Sequence, residues 1–136
     1  MKEFTKILPR REELHGEFYQ FCKAHELRFQ RCLECGAWRH MPRESCEACG
    51  SFDWNWQASS GKATLFSWTI IHRALHPAFA EEVPYAAVVV EMEEGVRLVS
   101  RLHDVANDEL RIGLPLEILF EDVTDEVTLH KFQKQA

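Results

Sequence analysis

The chain has 136 residues, 46% of them hydrophobic, and a formal net charge of −6. That length suits one domain or two small modules that share an interface. No stretch approaches the roughly 20 consecutive apolar residues of a bilayer-spanning helix, and the charged residues 1–11 lack the apolar run of a secretory signal. We therefore expect a cytoplasmic protein with no membrane partner.

The negative charge is unevenly distributed along the chain. Residues 1–57 carry nine basic and nine acidic side chains, whereas residues 58–136 carry seven basic and thirteen acidic ones. Because binding to a phosphate backbone is dominated by Lys and Arg, the acidic second half disfavours a nucleic-acid partner.

The first predicted element is an amphipathic helix from Arg10 to about Glu26. Its apolar residues recur at three- and four-residue steps with charged residues between them, as Leu14, Phe18, Phe21 and Cys22. Pro9 precedes the helix, where its fixed φ suits a helix start. We interpret Cys22 as a small buried hydrophobe, because it belongs to this pattern and lies apart from the other cysteines.

The other four cysteines form two Cys-x-x-Cys pairs separated by ten residues, namely Cys32, Cys35, Cys46 and Cys49. A glycine follows each pair directly, where a positive φ lets backbone N–H groups face the sulfurs. Four thiolates in tetrahedral geometry select zinc or iron. We predict a structural zinc ribbon, with a rubredoxin-like iron site as the alternative. Such a site has no open position for water, so it should not be catalytic.

Short extended segments surround the cysteine pairs, at Leu27–Arg31, Trp38–Arg43 and residues 52–56. We expect a two-stranded finger between Gly36 and Ser45 to span the ten-residue spacer. The run Ser59-Ser60-Gly61 then interrupts the pattern. We therefore predict two modules, a helix with a zinc ribbon over residues 1–60 and a barrel over residues 61–136.

The second module is predicted to be all β. Its five strands are Ala63–Ala74, Tyr85–Met92, Val96–His103, Leu116–Phe120 and Val127–Phe132. The turn at residues 93–95 joins the second and third strands into a hairpin. The longest connections follow the first and third strands, which fits a five-stranded Greek-key barrel of the OB type. A plain five-stranded meander is the competing topology. The predicted fold class is mainly β.

Two weaker constellations point to ligands. His72, Arg73 and His76 cluster where the first barrel strand meets its loop, and such groups can grip a phosphate or move a proton. A solvated strand end explains them equally well. A set of aromatic residues can stack nucleobases, but its alternating strand positions are more typical of core; the set is Trp54, Trp56, Phe66 and Trp68.

A series of short motifs runs through the chain in a characteristic order. They are Phe29-Gln30-Arg31-Cys32, Cys35-Gly36, Pro42-Arg43, Cys46, Cys49-Gly50, Trp56, Ser60-Gly61, Thr69–Arg73, His76-Pro77, Pro84-Tyr85, Glu94-Gly95-Val96-Arg97 and Phe120-Glu121-Asp122-Val123. Together they resemble the family of acyl-CoA-associated zinc-ribbon/OB-fold proteins that is catalogued as a domain of unknown function. The resemblance covers the chain from the N-terminal helix to about Phe132.

The resemblance implies a rubredoxin-like ribbon followed by an OB-type barrel. It also implies a non-catalytic accessory subunit that binds and supports an acyl-CoA-processing enzyme. The partner would be a thiolase-like enzyme, including lipid-transfer-type thiolases, or a hydratase of the hot-dog fold. Aromatic residues are good interface anchors, and the candidates here are Phe18, Tyr19 and Trp38.

The resemblance further implies contact with the coenzyme A part of the partner's substrate. Coenzyme A carries an adenine and several phosphates, so its contact site needs basic groups beside apolar walls. We assign the basic groups to Arg73, His76 and Arg97, and the apolar walls to Phe79 and Tyr85.

Two other functions compete with the accessory subunit. Zinc ribbons and OB barrels both bind DNA or RNA, and a local basic face is available around Arg28, Arg31, Arg39 and Arg43. An independent enzyme would rely on His72 and His76. The sequence has no Gly-rich phosphate loop, nucleophile elbow or recognisable triad, so we expect no catalytic residues.

Overall fold

The computed structural model describes residues 13–74 and 76–135. One helix, α1 (Glu13–Lys23), precedes the strands β1 (Arg28–Cys32), β2 (Trp38–Arg39), β3 (Trp54–Ala58), β4 (Lys62–Ile71), β5 (Tyr85–Met92), β6 (Arg97–Ser100), β7 (Pro115–Asp122) and β8 (Thr128–Lys134). Two 3-10 turns lie at Pro77–Phe79 and Asn107–Glu109. No helix in the described ranges is long and apolar enough to cross a membrane.

Helix α1 is held by its apolar face. Phe18 and Cys22 are buried, and the Phe18 ring stacks on Phe29 of β1 at 6.4 Å between centroids. The helix ends at Lys23, three residues before the predicted end, and His25 takes a left-handed conformation with φ 59°. The predicted start of the helix, residues 10–12, lies outside the described residues. The interpretation of Cys22 as a buried hydrophobe is confirmed.

The ribbon is a three-stranded antiparallel sheet in the order β2-β1-β3. The predicted finger between Gly36 and Ser45 is wrong, because β2 is only two residues long and pairs with β1. The carboxamide of the fully buried Gln30 takes the place of a second finger strand. Its Nε2 donates to the Arg43 carbonyl at 2.7 Å, and the Arg43 N–H donates to its Oε1 at 2.7 Å.

The second sheet has the strand order β6-β5-β4-β7-β8. β7 pairs with β4 rather than with β6, so the meander is wrong and the Greek-key order is confirmed. A parallel bridge between Leu102 and Phe132 joins the segment after β6 to β8, and the Phe132 backbone bonds both Arg101 and His103 there. This contact closes the sheet in the manner of an OB barrel.

One apolar core runs through both sheets and the helix. Phe29 and Cys22 belong to the same buried cluster as Val88, Leu116 and Phe132 of the barrel. Burial of this shared surface holds the ribbon against the barrel.

The connection between the two sheets is fixed by side chains. Ser59 Oγ donates to Glu94 Oε1 at 2.6 Å, and the Ser60 N–H donates to Glu94 Oε2 at 3.0 Å. Gly61 has φ +77°, and a Cβ there would lie 2.6 Å from Ile118 Cγ2. This close approach explains why a glycine stands at the junction.

Candidate metal centre

The four predicted ligands converge at one end of the ribbon. All four Sγ atoms lie within 4.8 Å of one another, with Cys32 and Cys49 at 3.6 Å and Cys35 and Cys46 at 3.6 Å. A tetrahedral site with metal–sulfur bonds of about 2.3 Å has sulfur–sulfur edges of roughly 3.8 Å. The cysteine cluster therefore fits a tetrahedral four-thiolate site.

Each ligand pair lies in a turn of the same construction. The Gly36 N–H donates to the Cys32 carbonyl at 3.0 Å, and the Gly50 N–H donates to the Cys46 carbonyl at 2.8 Å. The two glycines have φ of 76° and 78°, as the sequence predicts. In the first turn the Cys35 N–H also faces Cys32 Sγ, at 3.5 Å. The first turn thus points a backbone donor at a ligand sulfur.

The electrostatics of the cluster favour a cation. The backbone hydrogen bond from Cys35 is the largest cause that lowers the pKa of Cys32, to about 6. At Cys49 a backbone hydrogen bond from Ser51 lowers the pKa, but the neighbouring thiols, Cys32 first, outweigh it and raise the pKa to about 12. Four such close thiols become thiolates together only around a positive charge. The fifth cysteine, Cys22, has its pKa raised to about 12 by burial, which suits a core residue.

A four-cysteine site is a closed site. Its donors are all protein thiolates, so a bound metal keeps no position for substrate or water and serves as a staple between the two turns. The described residues hold no other group of three or more side chains suited to a metal.

Three of the predicted acyl-CoA contacts lie near one end of the barrel. Arg73 and His76 are exposed in the loop after β4. His76 Nδ1 accepts a hydrogen bond from the Ala78 N–H at 3.0 Å and so caps the short turn at Pro77–Phe79. Tyr85 begins β5 and is paired with Ile71. The side chain of Phe79 lies outside what the structure describes.

Arg97 lies at the other end of β5 from these residues. It pairs with Glu91, six residues along β5 from Tyr85, or roughly 20 Å at strand spacing. Its guanidinium stacks on Phe66 at 3.8 Å and bonds Glu91 Oε2 at 3.3 Å. The five predicted contacts therefore do not share one groove.

Sequence reasoning missed Arg101. Its guanidinium lies 3.9 Å from the Tyr85 ring centroid and pairs with Glu82 at 3.1 Å. Both Tyr85 and Arg101 line a cavity of about 150 Å³ together with Val105 and Asn107. The hairpin register, counted back from the turn at residues 93–95, would have brought Arg101 toward Tyr85.

The aromatic residues predicted as partner anchors or base-stacking groups belong mostly to the interior. Phe18 is 2% exposed and packs between His40 and His130, with ring centroids at 4.9 and 6.0 Å. It is therefore a core residue and not an anchor. Four others pack against the same core as partly buried residues, and these are Tyr19, Trp38, Trp56 and Trp68.

Comparison with known proteins agrees with this architecture. Residues 20–55 match a family described as "ChsH2, rubredoxin-like zinc ribbon domain", and residues 56–121 match "ChsH2, C-terminal OB-fold domain". The helix, ribbon and barrel thus define a zinc-ribbon/OB-fold protein. A chain of the solved "Ltp2-ChsH2(DUF35) aldolase" is 35% identical with a TM-score of 0.84, and the match covers 93% of this chain and 98% of that one.

Proteins of similar sequence support the same family assignment. A "DUF35 domain-containing scaffold protein" of Methanothermobacter thermautotrophicus is 30% identical over 75% of this chain and 77% of its own length. A "Probable enoyl-CoA hydratase alpha subunit" of Thermomonospora curvata is 37% identical over 85% of this chain but only 36% of its own length. The chain spans about a third of the length of the hydratase alpha subunits that it matches. It belongs to the DUF35 family, and the resemblance and fold class expected from its sequence are confirmed.

Proposed function

We propose that this protein is a non-catalytic accessory subunit of an acyl-CoA-processing enzyme complex. The observation that carries the proposal is the likeness to the DUF35 chain of the Ltp2-ChsH2(DUF35) aldolase, which extends over 98% of that chain. The scaffold-protein relatives and the closed, four-thiolate cluster support a structural role. The partner we propose is a thiolase-like enzyme, with a hydratase as the alternative.

The metal that we assign to the cysteine cluster is zinc. Zn²⁺ has no redox chemistry and accepts the tetrahedral arrangement that the four sulfurs already approach. Metal analysis of protein purified without added metal tests this assignment. One zinc per chain supports it, whereas a red protein containing iron would contradict it.

We assign the coenzyme A contact to the end of the barrel that carries Arg73, His76 and Tyr85. Arg73 and His76 offer exposed donors for phosphate, and Tyr85 with Arg101 forms a stacked platform suited to a planar group. The cavity beside them, at about 150 Å³, admits only a fragment of coenzyme A. The remainder would lie across the surface toward the partner enzyme.

The contact is tested with Arg73→Ala and Arg97→Ala, measured for acyl-CoA affinity in the assembled complex. Both remove an exposed arginine from the barrel, but they lie at different ends of it. We expect weaker binding for Arg73→Ala and parental binding for Arg97→Ala. The reverse result would move the contact to the β5–β6 hairpin, and parental binding in both would remove the assignment.

The function itself is tested by affinity capture of the tagged protein from its native host, with mass spectrometry of the proteins that co-purify. We expect a thiolase-like enzyme or an acyl-CoA hydratase in near-stoichiometric amounts, and no turnover by the purified chain alone. Recovery of nucleic acid, or of no protein that handles acyl-CoA, would contradict the proposal.

A further inference from the structure

Two large apolar side chains are exposed in the segments that flank the four cysteines. Leu33, which lies between the ligands Cys32 and Cys35, is 59% exposed, and Phe52 is 72% exposed. The Leu33 N–H donates to the Asp53 carbonyl at 2.9 Å, so Phe52 lies one residue from the position that faces Leu33. We name residues 33, 34, 52 and 53 the ribbon tip. Large apolar residues exposed on two hydrogen-bonded backbone segments are typical of an interaction surface.

The ribbon tip differs from the exposed aromatic residue on the barrel. Phe66 is 39% exposed, but the guanidinium of Arg97 covers its ring at 3.8 Å. Phe52 makes no ring or cation contact of this kind within the described ranges. The protein therefore covers its barrel aromatic by itself, whereas Phe52 has no such cover within the described residues.

Hydrogen bonds restrain the backbone of the ribbon tip. Leu33 is fixed by its flanking ligands and by the bond to Asp53, and the Asp53 N–H donates to Ser51 Oγ at 3.0 Å. Anchors that are already ordered lose little conformational entropy on binding, which raises the affinity that their buried area yields.

The charge around the ribbon tip defines the partner's chemistry. Glu34 and Asp53 are exposed and form no ion pair with any other described residue. Four thiolates around a divalent cation add a net charge of about −2, and Cys35 and Cys49 are exposed. A complementary surface therefore carries positive charge.

The arginines nearest to the ribbon tip are committed to contacts within the ribbon. Arg31 Nε donates to the Gly36 carbonyl at 3.1 Å, and its guanidinium lies over the Trp38 ring at 5.0 Å. Arg39 donates to Gln30 and to the Arg43 carbonyl. These bonds hold both side chains against the ribbon sheet, and neither arginine forms an ion pair with Glu34 or Asp53.

We propose that the ribbon tip docks onto the acyl-CoA-processing enzyme, in an apolar depression rimmed by Lys and Arg. The proposal rests on the proposed function, and it names the surface that makes the contact and the chemistry of the surface that receives it. Leu33 and Phe52 enter the depression, and Glu34 and Asp53 pair with its rim. The proposed coenzyme A contact at Arg73, His76 and Tyr85 involves none of these residues.

The role of Leu33 and Phe52 is tested with the enzyme that affinity capture recovers. The purified enzyme is titrated with the parent protein and with the variants Leu33→Ser, Phe52→Ser and Val99→Ser, of which the last is the control. Val99 is matched to Phe52 in exposure, at 69%, but lies on the barrel. We expect each tip variant to weaken binding by tenfold or more and the control to change it less than twofold. Zinc content is measured for every variant, and Phe52→Ser, which is not between ligands, decides the result if Leu33→Ser loses metal.

The role of the two tip carboxylates is tested with a double variant that combines Glu34→Lys and Asp53→Lys. The control is Asp125→Lys, on the turn between β7 and β8. We expect the double variant to slow association about tenfold at low salt, because steering by opposite charges is lost. Association of the parent should slow as salt is added, whereas association of the double variant should not.

The outcomes separate the two proposals. If the parent captures no acyl-CoA-processing enzyme, the proposed function fails and the docking proposal fails with it. If the parent binds the enzyme and both serine variants at the tip bind within twofold of it, only the docking proposal is overturned. A parental dimer that Phe52→Ser dissociates, seen by sedimentation with enzyme binding unchanged, would assign the ribbon tip to a second copy of this chain and also overturn the proposal.

Discussion

The ribbon and the barrel are held together by different means. Between residues 27 and 59 the buried side chains are few, and two of them are the ligands Cys32 and Cys46. The barrel buries a continuous set of aliphatic residues around Phe132. A short segment with so little apolar burial needs a further constraint, which a metal bound by the four cysteines would provide. Although the two regions share one apolar core, we expect metal binding to dominate the stability of the ribbon and side-chain packing to dominate that of the barrel.

The largest effect we expect comes from removing the metal. Zinc binding contributes on the order of 10 kcal/mol to the folding of small zinc modules, so chelation or Cys46→Ser should unfold the ribbon. The barrel, which contributes no ligand, should keep its strands. Nuclear magnetic resonance spectra of the chelated protein check this, with ribbon amide signals collapsing and barrel signals retained.

Cys22→Ser is the matched control for the metal experiment. Cys22 is buried in the helix and is not a ligand, so this variant should retain one zinc per chain and lose only packing energy. If chelation melted both regions together, the ribbon and barrel would form one cooperative unit and the comparison would fail.

A substitution that creates a cavity in the barrel core should give the second largest loss of stability. Phe132 is fully buried and also closes the barrel through its backbone. Phe132→Ala should lower the free energy of unfolding by about 3–5 kcal/mol, through lost burial and an unfilled cavity. Urea denaturation at constant zinc measures this loss, and Val99→Ala on the exposed face should change it by less than about 0.5 kcal/mol. Loss of zinc from folded Phe132→Ala would argue against independent regions.

A smaller effect should appear as a dependence of the barrel's free energy of unfolding on pH. Desolvation lowers the pKa of His130 to about 4, and its Nδ1 lies 2.8 Å from Ser100 Oγ. The folded-state pKa is below the ordinary 6.5, so the unfolded chain binds more protons between these values. Stability should therefore fall as the pH falls from about 6.5 to 4, by at most roughly 3 kcal/mol. Phe18 and His40 pack nearby, and burial also lowers the pKa of His40 to about 4.

His130→Gln separates this contribution from the titration of the ribbon thiolates, which both proteins share. The difference in unfolding free energy between parent and variant, followed from pH 7 to pH 4, should narrow as the pH falls. A difference that stays constant with pH would show that His130 does not carry the dependence.

Much of this fold was predictable because its signals are local. The cysteine spacing with its trailing glycines identifies the metal turns, and alternating apolar residues locate the barrel strands. The pairing of β7 with β4 depends on residues about fifty positions apart. In the sequence, only the lengths of the loops between the strands indicated this pairing.

The clustering of the four cysteines was predictable for the same reason, whereas the positions of the residues predicted to contact a ligand or a partner were not. Arg97 and Tyr85 are twelve residues apart in sequence, and their separation along β5 depends on the hairpin register. Phe18 was misassigned as a partner anchor. The spacing of apolar residues along a helix is the same whether that face packs on the protein's own core or on a partner. Arg101 was missed because its stacking on Tyr85 depends on a tertiary contact.

Gln30 should allow the ribbon to tolerate insertions in the loop after β2. Its side chain grips the backbone of Arg43 through both donor and acceptor, so the loop after β2 is anchored at one point and not along a ladder of strand pairs. Residues inserted after Met41, which is 54% exposed, would bulge outward without shifting the register of β1 against β3. We therefore expect this loop to accept a longer or different sequence while the two cysteine turns stay aligned, so that it suits a fluorophore or peptide tag.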